Sequence, residues 1–133
     1  GDPDRTHQMS YRVHPITSAV TQAATHVAES IEAKLIVIAT RSGNTAWVNS
    51  QSRSLIPTIG ASDSQPTLRR MNLLWGIKPL ASKHLEDTSL FIDQMCRWGH
   101  EHTHLRQNDH IVIITGTWLD DKTHNLMVVH TVE

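Results

Sequence analysis

Cysteine is almost missing from this chain: Cys96 is the only one in 133 residues. No disulfide can therefore form within it, and a reducing compartment, the cytoplasm, is the expected location. Charge of one sign is missing too. Twelve Lys and Arg face 13 Asp and Glu, for a formal net charge of -1. That balance leaves no electrostatic footprint for nucleic acid or an anionic membrane. No apolar run approaches the ~20 residues of a membrane span, and no secretory signal is visible. Internal repeats are lacking as well. No paired carboxylates, Ser/His/Asp order or Cys/His pair forms a catalytic set, so no catalytic residue is assigned. What is present is ordinary for a globular domain: 38% hydrophobic and 19% charged residues, in a length that suits one domain with one real core. A chain opening on Gly1 instead of Met is expected to be a piece of something longer.

Residues Gly1 to Pro15 are polar and aperiodic, and read as a linker or tail, so the domain proper is placed at 16–133. Ile16, Ala19, Val20, Ala23, Ala24, Val27 and Ile31 then recur at three and four, the period of a helix with one apolar face. Leu35 to Ala39 is a short, continuous apolar run rich in β-branched residues, as expected of a parallel strand buried on both faces. A helix is expected through Ala46, Trp47 and Val48, and a strand at Ile56 to Ile59. The stretch Ala61 to Pro66 reads as loop and N-cap chemistry before a helix through Leu68 and Met71. Trp75 to Leu80 is a weaker strand. Leu85 to Leu105 holds a longer helix with Leu90, Phe91, Met95 and Trp98 as its stripe, and Cys96 within it as a small buried hydrophobe. Ile111 to Ile114 and Leu126 to Val129 close the series as strands. The alternation predicts an α/β fold: a three-layer, mostly parallel sheet of about five strands, helices on both faces and a last antiparallel strand.

The most informative local feature is Thr40-Arg41-Ser42-Gly43-Asn44-Thr45, between a strong strand and a helix. A helix N-terminus offers unpaired N–H groups and partial positive charge, which suit a phosphate. Gly43 permits close backbone approach, the hydroxyls of Thr40, Ser42 and Thr45 add donors, and Arg41 adds charge. The same residue types also cap strand-to-helix turns that bind nothing. The segment is neither a P-loop nor a dinucleotide fingerprint, because the glycine spacing and the P-loop Lys are both missing.

Read with its neighbours, that loop resembles a known family. Ala33 to Ala46 is similar to the pyruvate kinase pattern of an apolar strand followed by T-x-S-G-x-[ST]-A. Ile16 to Ala24 looks like the helix that opens the C-terminal α/β domain of that family. Arg53 to Ile59 sits where the family has a strand after R-P-x-x-P-I, Leu74 to Pro79 resembles L-x-x-G-[VI]-x-P, and Asn108 to Gly116 resembles K-x-G-D-x-V-x-[VIL]-[TS]-G. His124 to Val129 echoes the closing T-N-x-[MLA]-x-[VI]. The likeness runs from about Ile16 to Val132, with its elements in the family's order.

The resemblance implies a regulatory and oligomerisation domain, part of a longer pyruvate kinase chain and of a homo-oligomer. The parent enzyme would transfer a phosphoryl group from phosphoenolpyruvate to ADP in glycolysis. Its magnesium and potassium would belong to the barrel domain, with no cofactor or metal in this one. The resemblance places effector phosphate contacts on Thr40, Arg41, Ser42, Gly43, Asn44 and Thr45, and an effector loop between Gly116 and Asn125 in which Trp118 could cap a ligand. That loop carries Asp120 and Asp121 where bisphosphate-binding relatives are glycine-rich and often basic. Two carboxylates oppose a phosphate unless a cation intervenes, which disfavours fructose 1,6-bisphosphate and leaves a monophosphate or a vestigial site. The alternative is a stand-alone protein of the same fold that binds a small phosphorylated metabolite.

Two further groups stand out. His100 and His104, four apart, could approach a shared zinc on a helix, but they follow Gly99 at an expected helix end and are assigned to the surface. Trp47, Trp75 and Trp98 are expected in the core, and Arg69-Arg70 on a solvated helix surface.

Overall fold

The computed structural model describes residues 15–115 and 126–133. Helix α1 (Pro15–Ser30) leads to β1 (Leu35–Ala39), α2 (Asn44–Gln51), β2 (Thr58–Ser62) and α3 (Gln65–Met71). Then come β3 (Ile77–Ala81), α4 (Thr88–His102), β4 (His110–Thr115) and β5 (Leu126–Thr131). The five strands form one sheet in the order β3-β2-β1-β4-β5. Every neighbouring pair is parallel except β4 and β5. The expected α/β architecture is therefore the observed one, with its last strand antiparallel.

β1 shows why its sequence alternates so little. Leu35, Val37 and Ala39 join Ile111 and Ile113 of β4 against Phe91 and Met95 of α4. Ile36 and Ile38 join Val112 and Ile114 on the opposite face, against Ala24 and Ala28 of α1, Ala46 of α2 and Met71 of α3. A strand covered on both sides has no solvent face to signal, so all five of its residues are apolar and buried. α4 begins where the Asp87 side chain accepts a hydrogen bond from the Leu90 N–H at 3.1 Å. α3 begins at Ser64, whose hydroxyl accepts from the Thr67 N–H at 3.4 Å, with Pro66 in the first turn.

Several expectations change. The buried face of α1 is made by Thr17, Thr21, Ala24, Thr25 and Ala28, whereas Ile16, Ala19 and Ala23 face outward. Threonine can be buried here because the helix satisfies it. The Thr21 hydroxyl donates to the Thr17 carbonyl at 2.6 Å, and Thr25 to the Thr21 carbonyl at 3.0 Å. Asn49 of α2 then donates to Thr25 Oγ1 at 3.1 Å. β2 extends through Gly60 to Ala61 and Ser62, two residues expected in the loop before α3. The stretch fits an interior strand because Met71 and Ile77 lie directly over Gly60. Leu90 sits on the exposed side of α4 and Trp75 is also exposed, with the Arg53 guanidinium 4.9 Å from the centre of its ring.

The two edges of the sheet differ. β3 carries Lys78 and Pro79 on its edge, both of which hinder strand pairing. β5 carries Met127, Val128 and Val129, exposed at 40%, 39% and 46%.

Candidate functional site

β1 is followed by a connection to β2 on one side of it, whereas the chain reaches β4 on its other side only after β3 and α4. The order of strands thus reverses between β1 and β4, and the carboxyl ends of strands at such a reversal are where open α/β sheets hold ligands. Thr40 to Thr45 leaves β1 at that point. Ala39 pairs with Thr115, the last described residue before the segment 116–125. That segment, with Trp118 and the proposed second effector loop, lies outside the described residues.

The loop is held from within. Thr40 is 1% exposed; its N–H donates to the Ala61 carbonyl at 2.9 Å, prolonging the ladder with β2. Its Oγ1 accepts from the Gly43 N–H at 3.0 Å, and Ser42 Oγ accepts from the Asn44 N–H at 3.1 Å. Gly43 takes a left-handed φ of 88°, which lets the chain turn sharply into α2. Two N–H groups that a phosphate could have used are therefore engaged by the hydroxyls of the loop itself.

α3 holds the loop from outside. The Thr67 hydroxyl donates to the Arg41 carbonyl, and Arg70 Nη2 donates to the Ser42 carbonyl at 2.9 Å. Arg70, expected to be merely solvated, is thus a tether. Arg41 turns its guanidinium to two carboxylates: Nε lies 3.3 Å from Asp63 Oδ2, and Nη2 lies 2.9 Å from Glu86 Oε1. The hydrogen bond to Glu86 is the main reason its pKa is raised; partial burial opposes the shift and Asp63 adds to it. An incoming anion meets an Arg41 whose charge is already offset. Ser42 is exposed and Thr45 is buried, so Ser42 Oγ is the loop hydroxyl most open to a ligand.

The six loop residues are contiguous, as the sequence requires, but Asp63, Thr67, Arg70 and Glu86 were not legible beside them. They lie 22 to 45 positions away, and no local pattern marks them.

The remaining candidates separate. His104 falls beyond the end of α4 at a φ of 56°, so His100 and His104 form no i, i+4 pair on the helix. His100 Nδ1 lies 2.6 Å from the Leu105 carbonyl, and His102 stacks on Trp98 with ring centres 4.5 Å apart. Among the described residues, no three His, Cys, Asp or Glu side chains group in a way that could hold a metal ion. Cys96 is half-buried, and its thiol pKa is pushed up first by burial and then by the charge of Asp93. No helix among the described residues is long and apolar enough to cross a membrane.

A family model described as "Pyruvate kinase, alpha/beta domain" matches residues 18–130. The chain is 26% identical over 118 residues to a pyruvate kinase of Sporosarcina psychrophila, covering 88% of this chain and 20% of that protein. It is 30% identical over 102 residues to pyruvate kinase 2 of Synechocystis sp., covering 77% of this chain and 17% of that protein. A solved Cryptosporidium parvum pyruvate kinase in complex with ADP is similar in fold. Its TM-score is 0.80 at 20% identity, covering 92% of this chain and 25% of that one. The chain thus spans between 17% and 25% of the length of these similar proteins.

Proposed function

The chain belongs to the pyruvate kinase alpha/beta domain family, and from that premise we propose that it is the C-terminal regulatory and assembly domain of a cytoplasmic pyruvate kinase. The larger remainder of that enzyme would carry the barrel, its magnesium and potassium, and the transfer of a phosphoryl group from phosphoenolpyruvate to ADP. This domain would bias the enzyme by binding differently in its different states.

One observation carries the assembly role: the contrast between the two sheet edges. β3 is blunted by Lys78 and Pro79, whereas β5 leaves Met127, Val128 and Val129 exposed without a charge among them. α1 packs against β4 and β5, and its outward residues Ile16, Ala19 and Ala23 are apolar. The two features suit a second copy of the chain, with β5 edges meeting across a two-fold axis.

For regulation, the reading rests on Thr40, Arg41, Ser42, Gly43, Asn44 and Thr45 at the strand-order reversal, with α2 behind them. A small phosphorylated effector would be held chiefly by Ser42 and by Arg41 after exchange of its carboxylate partners. Thermal unfolding with a panel of sugar phosphates tests this. Ligand at a hundred times Kd should stabilise the chain by about 2.7 kcal/mol, and replacing Ser42 and Thr45 together by Ala should diminish the shift. An undiminished shift would remove the loop from the site.

The alternative, a stand-alone binding protein, is separated by the mass of the native protein in its cells. A species several times heavier than 15.0 kDa supports the pyruvate kinase reading, and one at 15.0 kDa supports the alternative.

A further inference from the structure

A cavity of about 430 Å³ opens between the carboxyl ends of β2 and β3, with Asp63, the partner of Arg41, in its lining. Its walls include Ser62, Asp63, Gln65, Ser82, Lys83 and His84, and its volume falls in the range of small-molecule sites. One wall is fixed from α4. The Ser82 hydroxyl donates to Gln94 Oε1 at 2.7 Å, and Gln94 Nε2 donates to the Ala81 carbonyl at 3.2 Å. The Ser82 oxygen in turn accepts from the His84 N–H at 3.1 Å, which sets the course of the backbone at Lys83 and His84.

The floor holds a polar group whose bonding is incomplete. Ser62 is wholly buried, and its oxygen accepts from the Ser64 N–H at 3.2 Å. Among the described residues nothing accepts the proton of the Ser62 hydroxyl. A buried donor without an acceptor is costly, so a small movement that brings a ligand oxygen to it is favoured. At the rim, the side chains of Lys83 and His84 have no protein partner among the described residues. Asp63 does not make the wall repulsive, because its Oδ2 lies against Arg41 Nε at 3.3 Å. Its other oxygen can accept from a ligand hydroxyl.

A donor at the floor, cationic and N–H donors at the rim and a carboxylate acceptor between them match one kind of molecule. We infer that this cavity binds a short polyol bearing a single anionic group. The anion pairs with Lys83 and His84, and the hydroxyls meet Asp63 and the amide of Gln65. The lining of this cavity includes no residue of the Thr40–Thr45 loop; the two sites meet at Asp63, which pairs with Arg41, whereas the anion contacts at Lys83 and His84 do not involve that pair.

The test is an amide-resolved NMR titration of the 133-residue chain with glycerol 3-phosphate, glycerate and glycerol. Saturable shifts at Ser62, Lys83 and His84 are expected with the two anions and not with glycerol. The tighter of the two anions identifies the charged group as phosphate or carboxylate. Lys83→Gln, at an exposed position, should weaken binding about tenfold, the loss of one charge-assisted hydrogen bond. Ser62→Ala should weaken it less. Shifts confined to residues 40–45, equal shifts with glycerol, or unchanged affinity in a folded Lys83→Gln variant would each overturn the assignment. Failure here would leave the self-association and Ser42 experiments untouched, because those are read on other residues.

Discussion

The guanidinium of Arg41 and the carboxylate of Glu86, 45 positions apart in the chain, meet at 2.9 Å. An internal carboxylate therefore already occupies the cation that the loop offers to an anionic ligand. Glu86→Gln should strengthen the phosphate response of the loop. It should change stability by less than about 0.5 kcal/mol, because the two side chains are 40% and 71% exposed and such pairs are largely screened. Thermal shifts with and without phosphate esters measure both effects. A variant with the same phosphate response as the parent chain would mean that Glu86 does not compete.

Thr40 is a buried acceptor for the Gly43 N–H. Thr40→Val keeps the shape and removes the acceptor, and should lower stability by about 1–3 kcal/mol in urea unfolding. Thr40→Ser should recover most of that loss; equal loss in both variants would assign the effect to packing instead.

Gly60→Ala should destabilise by about 1–3 kcal/mol, since an added methyl would lie 2.5 Å from Met71 Sδ and 2.9 Å from Ile77 Cγ2. Part of the strain falls on the end of a flexible Met side chain, so Met71→Ala placed beside it should be less harmful than in the parent. A double-mutant cycle reads that coupling.

Association through β5 predicts that Val129→Lys, at a position 46% exposed, yields a folded monomer from a parent that self-associates. Sedimentation velocity decides it, and a parent chain that is monomeric at all concentrations would end the edge-pairing reading.

Burial, aided by the charge of Asp93, raises the thiol pKa of Cys96 above that of an ordinary cysteine. Alkylation by iodoacetamide near pH 8 should therefore be slower in the folded chain than in urea. The folded pKa is the higher one. The stability linked to this group is thus complete below the unfolded value and is lost as pH rises through the folded value.

The fold was legible where burial is symmetric or the period is clean. Leu35 to Ala39 reads as a strand because the run is short, apolar throughout and rich in β-branched residues, as suits a strand covered on both faces. α1 was legible as a helix but only in part in its orientation. Of the expected stripe, Ala24 is buried and Ile16, Ala19 and Ala23 face outward, while Thr17, Thr21 and Thr25 join Ala24 and Ala28 inside. A threonine that bonds to the carbonyl four residues earlier is already satisfied, and sequence hydrophobicity does not register that bond. Ala61 and Ser62 likewise read as loop until their pairing with Leu80 and Ala81 of β3 is known.

The α/β class, the order of the elements, the family and the six-residue loop after β1 can be read along the chain, because periodicity and short motifs are properties of neighbouring residues. What that loop touches cannot. Asp63, Thr67, Arg70 and Glu86 reach it across the carboxyl ends of the strands, and the cavity between Ser62 and Lys83 exists only because β2 and β3 lie side by side. Contacts between residues far apart in sequence are fixed by which strands pair, and pairing is settled by the burial of the whole core.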